Sequence, residues 1–249
     1  MLILILLPVV FLLPPGAGAG EIVGGHEAKP HSRPYMAFLE IQRGDTIFHC
    51  GGFLVAENFA LTAAHCQGDS VTVVLGAHNL SQRERSLQVI RARRQIPHPQ
   101  YDRETRNNDI MLLQLQRKAR RDGYVSLLPL PEDQQRVSPG TGCSIAGWGR
   151  TSAAHNLTSN VLLEADVVVM PDADCAVVIF VKYEVVRAAV GPETRSEFFF
   201  QGDSGGPLVC GQKAQGIVSW GSTDGIPPAV YARVSTFLPW IQETMRKLQ

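Results

Sequence analysis

Residues 197–210 read EFFFQGDSGGPLVC. The second half sets Ser204 behind an acid, Asp203, and among the glycines Gly202, Gly205 and Gly206, with Pro207 closing the segment. Glycines at this density permit a tight backbone path that can leave N–H groups pointing at one spot. Such donors stabilise an oxyanion when a serine attacks a carbonyl. Gly, Asp, Ser and Pro are also ordinary turn residues, so a polar turn is the lesser alternative for the hexamer alone. The first half places Phe198, Phe199 and Phe200 immediately upstream.

A serine nucleophile needs a base, and the base needs an acid that holds its tautomer. His65 ends the small apolar segment LTAAHC, residues 61–66, beside a cysteine able to fix its backbone. Asp109, in NNDIMLL at 107–113, stands at the entry of an alternating strand. Asp102 and Glu104 lie in a more polar, loop-like stretch and are the weaker candidates.

Around these residues, short β-like runs alternate with Gly, Pro and Asn punctuation: YMAFLEI, GGFLVAE, VTVVLGA, DIMLLQLQ, SIAGWGR, VLLEADVVV, QGIVSWG and AVYARV. This spacing predicts an all-β protein of many antiparallel strands. MLLQLQ alternates cleanly, which predicts one face in a core. Only FLPWIQETMRKLQ, at 237–249, reads as a helix, with Trp240, Ile241, Met245 and Leu248 near a helical period. Two similar β units in one body suit a chain of 249 residues that is 45% hydrophobic and 18% charged.

The opening run from Leu2 to Leu13, followed by Ala17 and Ala19, predicts a secretory signal peptide over residues 1–19. At about 12 residues the run is short of the roughly 20 that span a bilayer, so no transmembrane anchor is expected. In an oxidising compartment four of the five cysteines can pair, and spacing does not say which. No CxxC pair occurs, so neither a zinc site nor any other metal or cofactor is expected. Formal net charge is zero, and +1 once residues 1–21 and their single glutamate are removed. That balance implies no strong pull on nucleic acid or anionic membrane. Two local basic clusters, Arg91, Arg93 and Arg94, and Arg117, Lys118, Arg120 and Arg121, are either a solvated face or a weak docking surface for a polyanion such as heparin. The sequons at Asn79 and Asn156 are expected to carry glycans in a secreted chain.

The His–Asp–Ser order is that of the chymotrypsin type. With it come IVGG at 22–25, TAAHC at 62–66, DIML at 109–112, GWG at 147–149, GDSGGP at 202–207 and SWG at 219–221. Throughout residues 22–249 the chain resembles the chymotrypsin-like (S1) serine proteases. It is most similar to the granule proteases of leukocytes and mast cells, the cathepsin G group, through PHSRPYMA at 30–37, LGAHN at 75–79, residues 106–115 and FLPWI at 237–241. The resemblance implies two packed six-stranded antiparallel β-barrels with a C-terminal helix, the boundary falling near 120–135. It also implies His65 as general base, Asp109 as its orienter, Ser204 as nucleophile, and the N–H groups of Gly202 and Ser204 as the oxyanion hole. Ser219, Trp220 and Gly221 would hold substrate backbone as an edge strand. Gly20 and Glu21 would form an activation dipeptide whose removal frees the α-amino group of Ile22 to pair with Asp203. Disulfides Cys50–Cys66 and Cys143–Cys210 follow from the same resemblance, while Ala189 stands where the partner of Cys175 belongs, leaving that thiol free.

The resemblance sets Phe198 at the floor of the S1 pocket with Phe199 above it, and Ala229 at a lower-pocket position. No carboxylate then awaits a Lys or Arg side chain. If the rings turn into the core, Gly221 and Ala229 leave a slot for Phe, Tyr or Leu; if one enters the pocket, only Val, Ala or Met fit. The expected function is a secreted or granule-stored endopeptidase of immune defence, acting on protein or peptide substrates, probed by serpin-type inhibitors and monomeric. The alternatives are an antimicrobial or heparin-binding protein on a protease scaffold, or an elastase-like enzyme with a shallow pocket.

Overall fold

The computed structural model describes residues 25–149, 158–171, 203–220 and 229–249, and the backbone of 185–189. The expectations for the signal peptide, Gly20, Glu21, Ile22, Asn156, Cys175, Phe198, Phe199, Phe200, Gly202 and Gly221 lie outside the described residues.

Thirteen strands are described: β1 (His26–Glu27), β2 (Met36–Arg43), β3 (Thr46–Ala56), β4 (Phe59–Thr62), β5 (Ser70–Leu75), β6 (Gln88–Pro97), β7 (Met111–Leu115), β8 (Gly142–Gly147), β9 (Leu163–Val169), β10 (Val185–Ala189), β11 (Pro207–Cys210), β12 (Lys213–Trp220) and β13 (Ala229–Arg233). One helix, α1 (Leu238–Lys247), follows them. Strands β2-β3-β4-β7-β6-β5 close into a barrel, all pairs antiparallel. A second circuit runs β8-β9-β10-β13-β12-β11 and returns to β8. Strand β1 lies beside the start of β9, on the edge whose far end pairs β10. The fold is therefore the all-β, two-barrel architecture with a C-terminal helix. Closure removes the exposed sheet edges that would otherwise invite association.

The alternating run in β7 departs from its expectation. All five residues, Met111 to Leu115, are buried rather than one face alone. Gln114 shares its face with the buried Leu112, and its Nε2 donates to the Leu248 carbonyl at 2.8 Å, so the residue just past the helix covers that face. In α1 itself Leu238 and Ile241 are buried, and Trp240, Met245 and Leu248 pack partly against the same core. Arg246 and Lys247 occupy its last turn, where cations complement the helix dipole.

Strand β6 reads poorly as a strand because its polarity is inverted at its start. Val89 is 56% exposed whereas Gln88 is 6% exposed. The buried amide is satisfied by exchanging two hydrogen bonds with the Arg120 backbone, at 2.7 and 2.8 Å. This contact also sets the second basic cluster beside the first, and Arg117 donates to the Val89 carbonyl at 3.1 Å.

The barrels meet through shared apolar packing, such as Phe38 against Trp148, and through close backbone contacts. The Gly51 N–H in β3 donates to the Ser204 carbonyl at 2.8 Å. A Cβ on Gly51 would lie 3.1 Å from the Gly206 nitrogen, tighter than most real Cβ contacts. Arg33 adds a polar pin, donating to Glu164 at 2.8 Å and to the Ser144 hydroxyl at 2.9 Å.

Candidate active site

His65 is carried on a single 3-10 turn, Ala64–Cys66, directly after the fully buried β4. The turn is fixed from behind by the disulfide between Cys66 and Cys50 of β3. Cys66 Sγ lies 3.7 Å from the Ser204 carbonyl oxygen, so the histidine turn and the serine loop abut. Both sulfurs are committed to the S–S bond and offer no thiolate to a metal beside His65.

Asp109 lies two residues before β7 and is 1% exposed. A buried carboxylate needs donors, and this one has three. The His65 backbone N–H donates to Oδ1 at 2.9 Å, His65 Nδ1 faces Oδ2 at 2.7 Å, and the Ser219 hydroxyl donates to Oδ2 at 2.5 Å. With Nδ1 holding a proton towards the carboxylate, Nε2 is left as the acceptor. Main chain and ring of one histidine are thus gripped by the two oxygens of one acid. Asp102, by contrast, accepts the Glu104 backbone N–H at 2.8 Å and organises its own loop. Those backbone bonds hold its carboxyl below the usual range.

Ser204 enters from the second barrel. Beyond the Gly51 contact, Gly205 N–H donates to the Val218 carbonyl and Val218 N–H to the Gly206 carbonyl, at 2.8 and 2.9 Å. Gly205 has φ +87°, and a Cβ there would fall 2.1 Å from Thr62 Oγ1 and 2.5 Å from the Gly51 oxygen. Only glycine permits this approach. Among the described residues the Ser204 hydroxyl makes no hydrogen bond to His65, and bonds of this kind commonly close only with substrate in place.

Asp203 is half-buried as a residue, but its carboxyl group is pressed into backbone. A Cβ on Gly147 would lie 2.0 Å from Oδ1, and one on Gly149 2.3 Å from Oδ2. Burial pushes this carboxyl up to about 7, against the opposing pull of the Gly149 N–H donated to Oδ1 at 2.8 Å. The GWG segment is thus the wall of the Asp203 site. Sequence reading used it only as a mark of resemblance, although two glycines flanking a buried tryptophan signal a close approach of backbone to something else.

Ser219 is 4% exposed near the end of β12. The sequence reading assigned it to substrate backbone and missed its hydroxyl contact with Asp109. Trp220 is half-buried at the strand end, and Ala229 is 1% exposed in the second barrel's core with Val218 and Tyr231. Cys143 and Cys210 are bonded, joining β8 to β11. Asn79 sits in a turn, where its Oδ1 accepts the backbone N–H and hydroxyl of Ser81 at 3.0 and 2.7 Å. No helix among the described residues is long and apolar enough to cross a membrane.

Comparison with known proteins agrees with this geometry. Residues 22–241 match the Trypsin family. The chain is 51% identical to human cathepsin G over 98% of its own length and 95% of that protein's. It is 51% identical to mast cell protease 3 of Ovis aries, over 96% and 94% of the two chains. A solved structure described as "Structure of GrC" superposes with a TM-score of 0.84 at 43% identity, covering 90% of this chain and 99% of that one. Two antiparallel barrels, a serine loop and a histidine turn at their junction, and a family match across that whole region lead to one assignment: the chain belongs to the trypsin family and is a serine endopeptidase.

Proposed function

We propose that Ser204, His65 and Asp109 carry out peptide-bond hydrolysis by an acyl-enzyme route. The observation that carries this reading is the buried Asp109 carboxylate holding both N–H groups of His65. Ser204 Oγ attacks the scissile carbonyl while His65 Nε2 takes its proton. The N–H groups of Gly202 and Ser204 receive the developing oxyanion. His65 then returns the proton to the leaving amine, and the C–N bond breaks to leave an ester on Ser204. Water repeats the sequence in reverse, giving the carboxylic acid and the free serine. Asp109 holds the imidazolium in place.

Activation rests on Asp203. Cleavage after Ala19 and then after Glu21 leaves residues 22–249 as the protease domain, its two units dividing near 120–135. The new Ile22 ammonium pairs with a carboxylate that is otherwise costly to ionise in its dry site. Retention of Glu21 leaves the enzyme nearly inactive.

Substrates are cleaved after apolar or aromatic P1 residues, with Phe, Tyr, Leu and Met ahead of Val and Ala. Phe198, Phe199, Gly221 and Ala229 form the pocket, and Ser219 and Trp220 with Gly221 hold the substrate backbone. None of the four pocket residues carries a carboxylate, which disfavours Lys and Arg. The enzyme acts in immune defence, secreted or stored in granules. Its relatives' names, which include a mast cell protease and granzymes, support that setting. It is a monomer open to serpin-type inhibitors, with Asn79 and Asn156 glycosylated and Cys175 free. The second reading, weak polyanion or heparin binding, is supported by the adjacency of the two exposed basic clusters across β6.

Two measurements test the enzyme reading. Ser204→Ala should lower hydrolysis by several orders of magnitude, and near-parental turnover would assign the chemistry to another residue. Profiling the processed enzyme on peptides with every P1 residue should favour large apolar side chains. Strong preference for Arg or Lys would defeat the pocket assignment, and preference for Val or Ala would place a phenylalanine ring inside it.

A further inference from the structure

Beside His65 opens a cleft of about 220 Å³ whose walls are cationic. Arg43, Arg103 and Arg106 line it together with Tyr101 and Gln67. No carboxylate lines it.

The three guanidinium groups are held for different reasons. Arg43, at the end of β2, donates Nη2 to the carbonyls of His65 and Gln67, and its guanidinium lies 4.5 Å from the Phe48 ring centre. Arg103 and Arg106 project from the loop that Asp102 organises through the backbone N–H groups of Glu104 and Thr105. Asn108 fastens the base of that loop, donating to the Gln100 carbonyl at 2.8 Å. Arg106 has φ +59°, a left-handed conformation unusual for a long side chain. Neither Arg103 nor Arg106 is in an ion pair among the described residues. Three nearby acids are engaged elsewhere, Asp102 within its loop, Asp69 with the Gly44 N–H at 2.7 Å and Asp109 beneath His65, and the exposed Glu104 does not line the cleft.

We infer that this cleft is a substrate subsite for an acidic side chain, Asp or Glu, flanking the scissile bond. An extended peptide advances about 3.4 Å per residue, so a side chain in a cleft that touches His65 belongs within roughly three positions of the bond cleaved. A carboxylate there meets donors in a concave cationic wall, where attraction exceeds that of an isolated surface pair. The inference rests on the proposed role of His65 and Ser204, and adds a second requirement to the apolar P1 preference. The favoured sequence is an apolar residue at the cut with an acid close by.

The test uses peptides with one fixed apolar P1 and Glu, Gln or Lys placed in turn at the three positions on either side. The processed enzyme should cleave the best Glu peptide roughly tenfold faster, in kcat/KM, than its Gln counterpart. That ratio should shrink in molar salt, because the arginines are exposed. Arg106→Asn should reduce the Glu-to-Gln ratio towards one, and Arg106→Asp should bring the Lys peptide above the Glu peptide. Asn and Asp tolerate the left-handed backbone at this position, so the loop keeps its path. Arg103→Gln, at an exposed site, gives an independent reduction. Equal cleavage of Glu and Gln peptides at every position overturns the inference and leaves the enzyme reading intact. If no peptide is cleaved the enzyme reading fails, and binding of the same peptides to the Ser204→Ala protein still decides the subsite. Tighter binding of Glu peptides supports it; equal binding ends it. Loss of heparin binding in the Arg103 and Arg106 variants with unchanged peptide ranking would assign the cleft to a polyanion instead.

Discussion

The Ser219 hydroxyl in the second barrel donates to Asp109 Oδ2 at 2.5 Å, the same oxygen that faces His65 Nδ1 at 2.7 Å. One carboxylate therefore joins the histidine turn of the first barrel to the strand end of the second. Ser219→Ala removes a donor from a buried charge, a loss of about 1.5–3 kcal/mol when uncompensated. We expect kcat/KM to fall about tenfold or more with a lower melting temperature. Hydrolysis assays and thermal unfolding on the same preparation check this, and unchanged values for both would remove Ser219 from the site.

Gly205→Ala tests the close approach of the serine loop to β4. The new methyl would lie 2.1 Å from Thr62 Oγ1, on a backbone with φ +87°. Strain of this sort exceeds the roughly 1 kcal/mol of a tolerated glycine change. The expected outcome is poor secretion and loss of hydrolysis together, since the loop must move away from Gly51. Secreted yield and active-site titration measure the two separately.

The pH behaviour of the unprocessed chain should carry the signature of Asp203. Its folded carboxyl is raised to about 7 from an ordinary value of 3.8. Between those values the folded state holds more protons than the unfolded state, so stability falls as pH rises through that window. The full effect is of order 4 kcal/mol. Asp203→Asn in an uncleavable, Ser204→Ala background should match its parent near pH 4 and exceed it above pH 7. Urea midpoints at pH 4.5, 6 and 7.5 test the sign. In the processed enzyme the same substitution should abolish activity, because the Ile22 ammonium loses its partner.

The two disulfides should separate stability from activity. Cys143–Cys210 closes 67 residues and Cys50–Cys66 closes 16. Chain entropy gives about 4 kcal/mol for the longer loop and about 3 kcal/mol for the shorter. Replacing Cys143 and Cys210 with alanine should therefore cost more stability. Replacing Cys50 and Cys66 should cost more activity, because that bridge anchors the turn bearing His65. Denaturant unfolding and kcat/KM on both double variants would expose the reverse ordering if it holds.

Local pattern exposed some elements and hid others for identifiable reasons. Runs such as VLLEADVVV announce strands because their polarity follows the pleat, and β9 alternates in burial accordingly. Strand β6 escaped because its first buried position is a glutamine whose amide is satisfied by Arg120, 32 residues away. Strands β4 and β11 have four residues each, too few for a period to register. In β7 the alternation was real, but burial of Gln114 depended on the helix end that covers it.

By itself, the sequence determined which reactive groups are present and in what order, because a glycine-flanked serine, a histidine after an apolar segment and an aspartate before a strand are local patterns. Tertiary structure alone decided that Ser219 caps Asp109 from 110 positions away, and that Gly147 and Gly149 enclose Asp203. It also decided that Arg43, at the end of β2, and Arg106, on a loop, line one cleft beside His65. The first of these relationships depends on how two closed barrels seat against each other, and the other two on how distant segments of one barrel converge. Hydrophobic periodicity reports which face of a strand is buried, and carries no term for what the opposing barrel brings to that face.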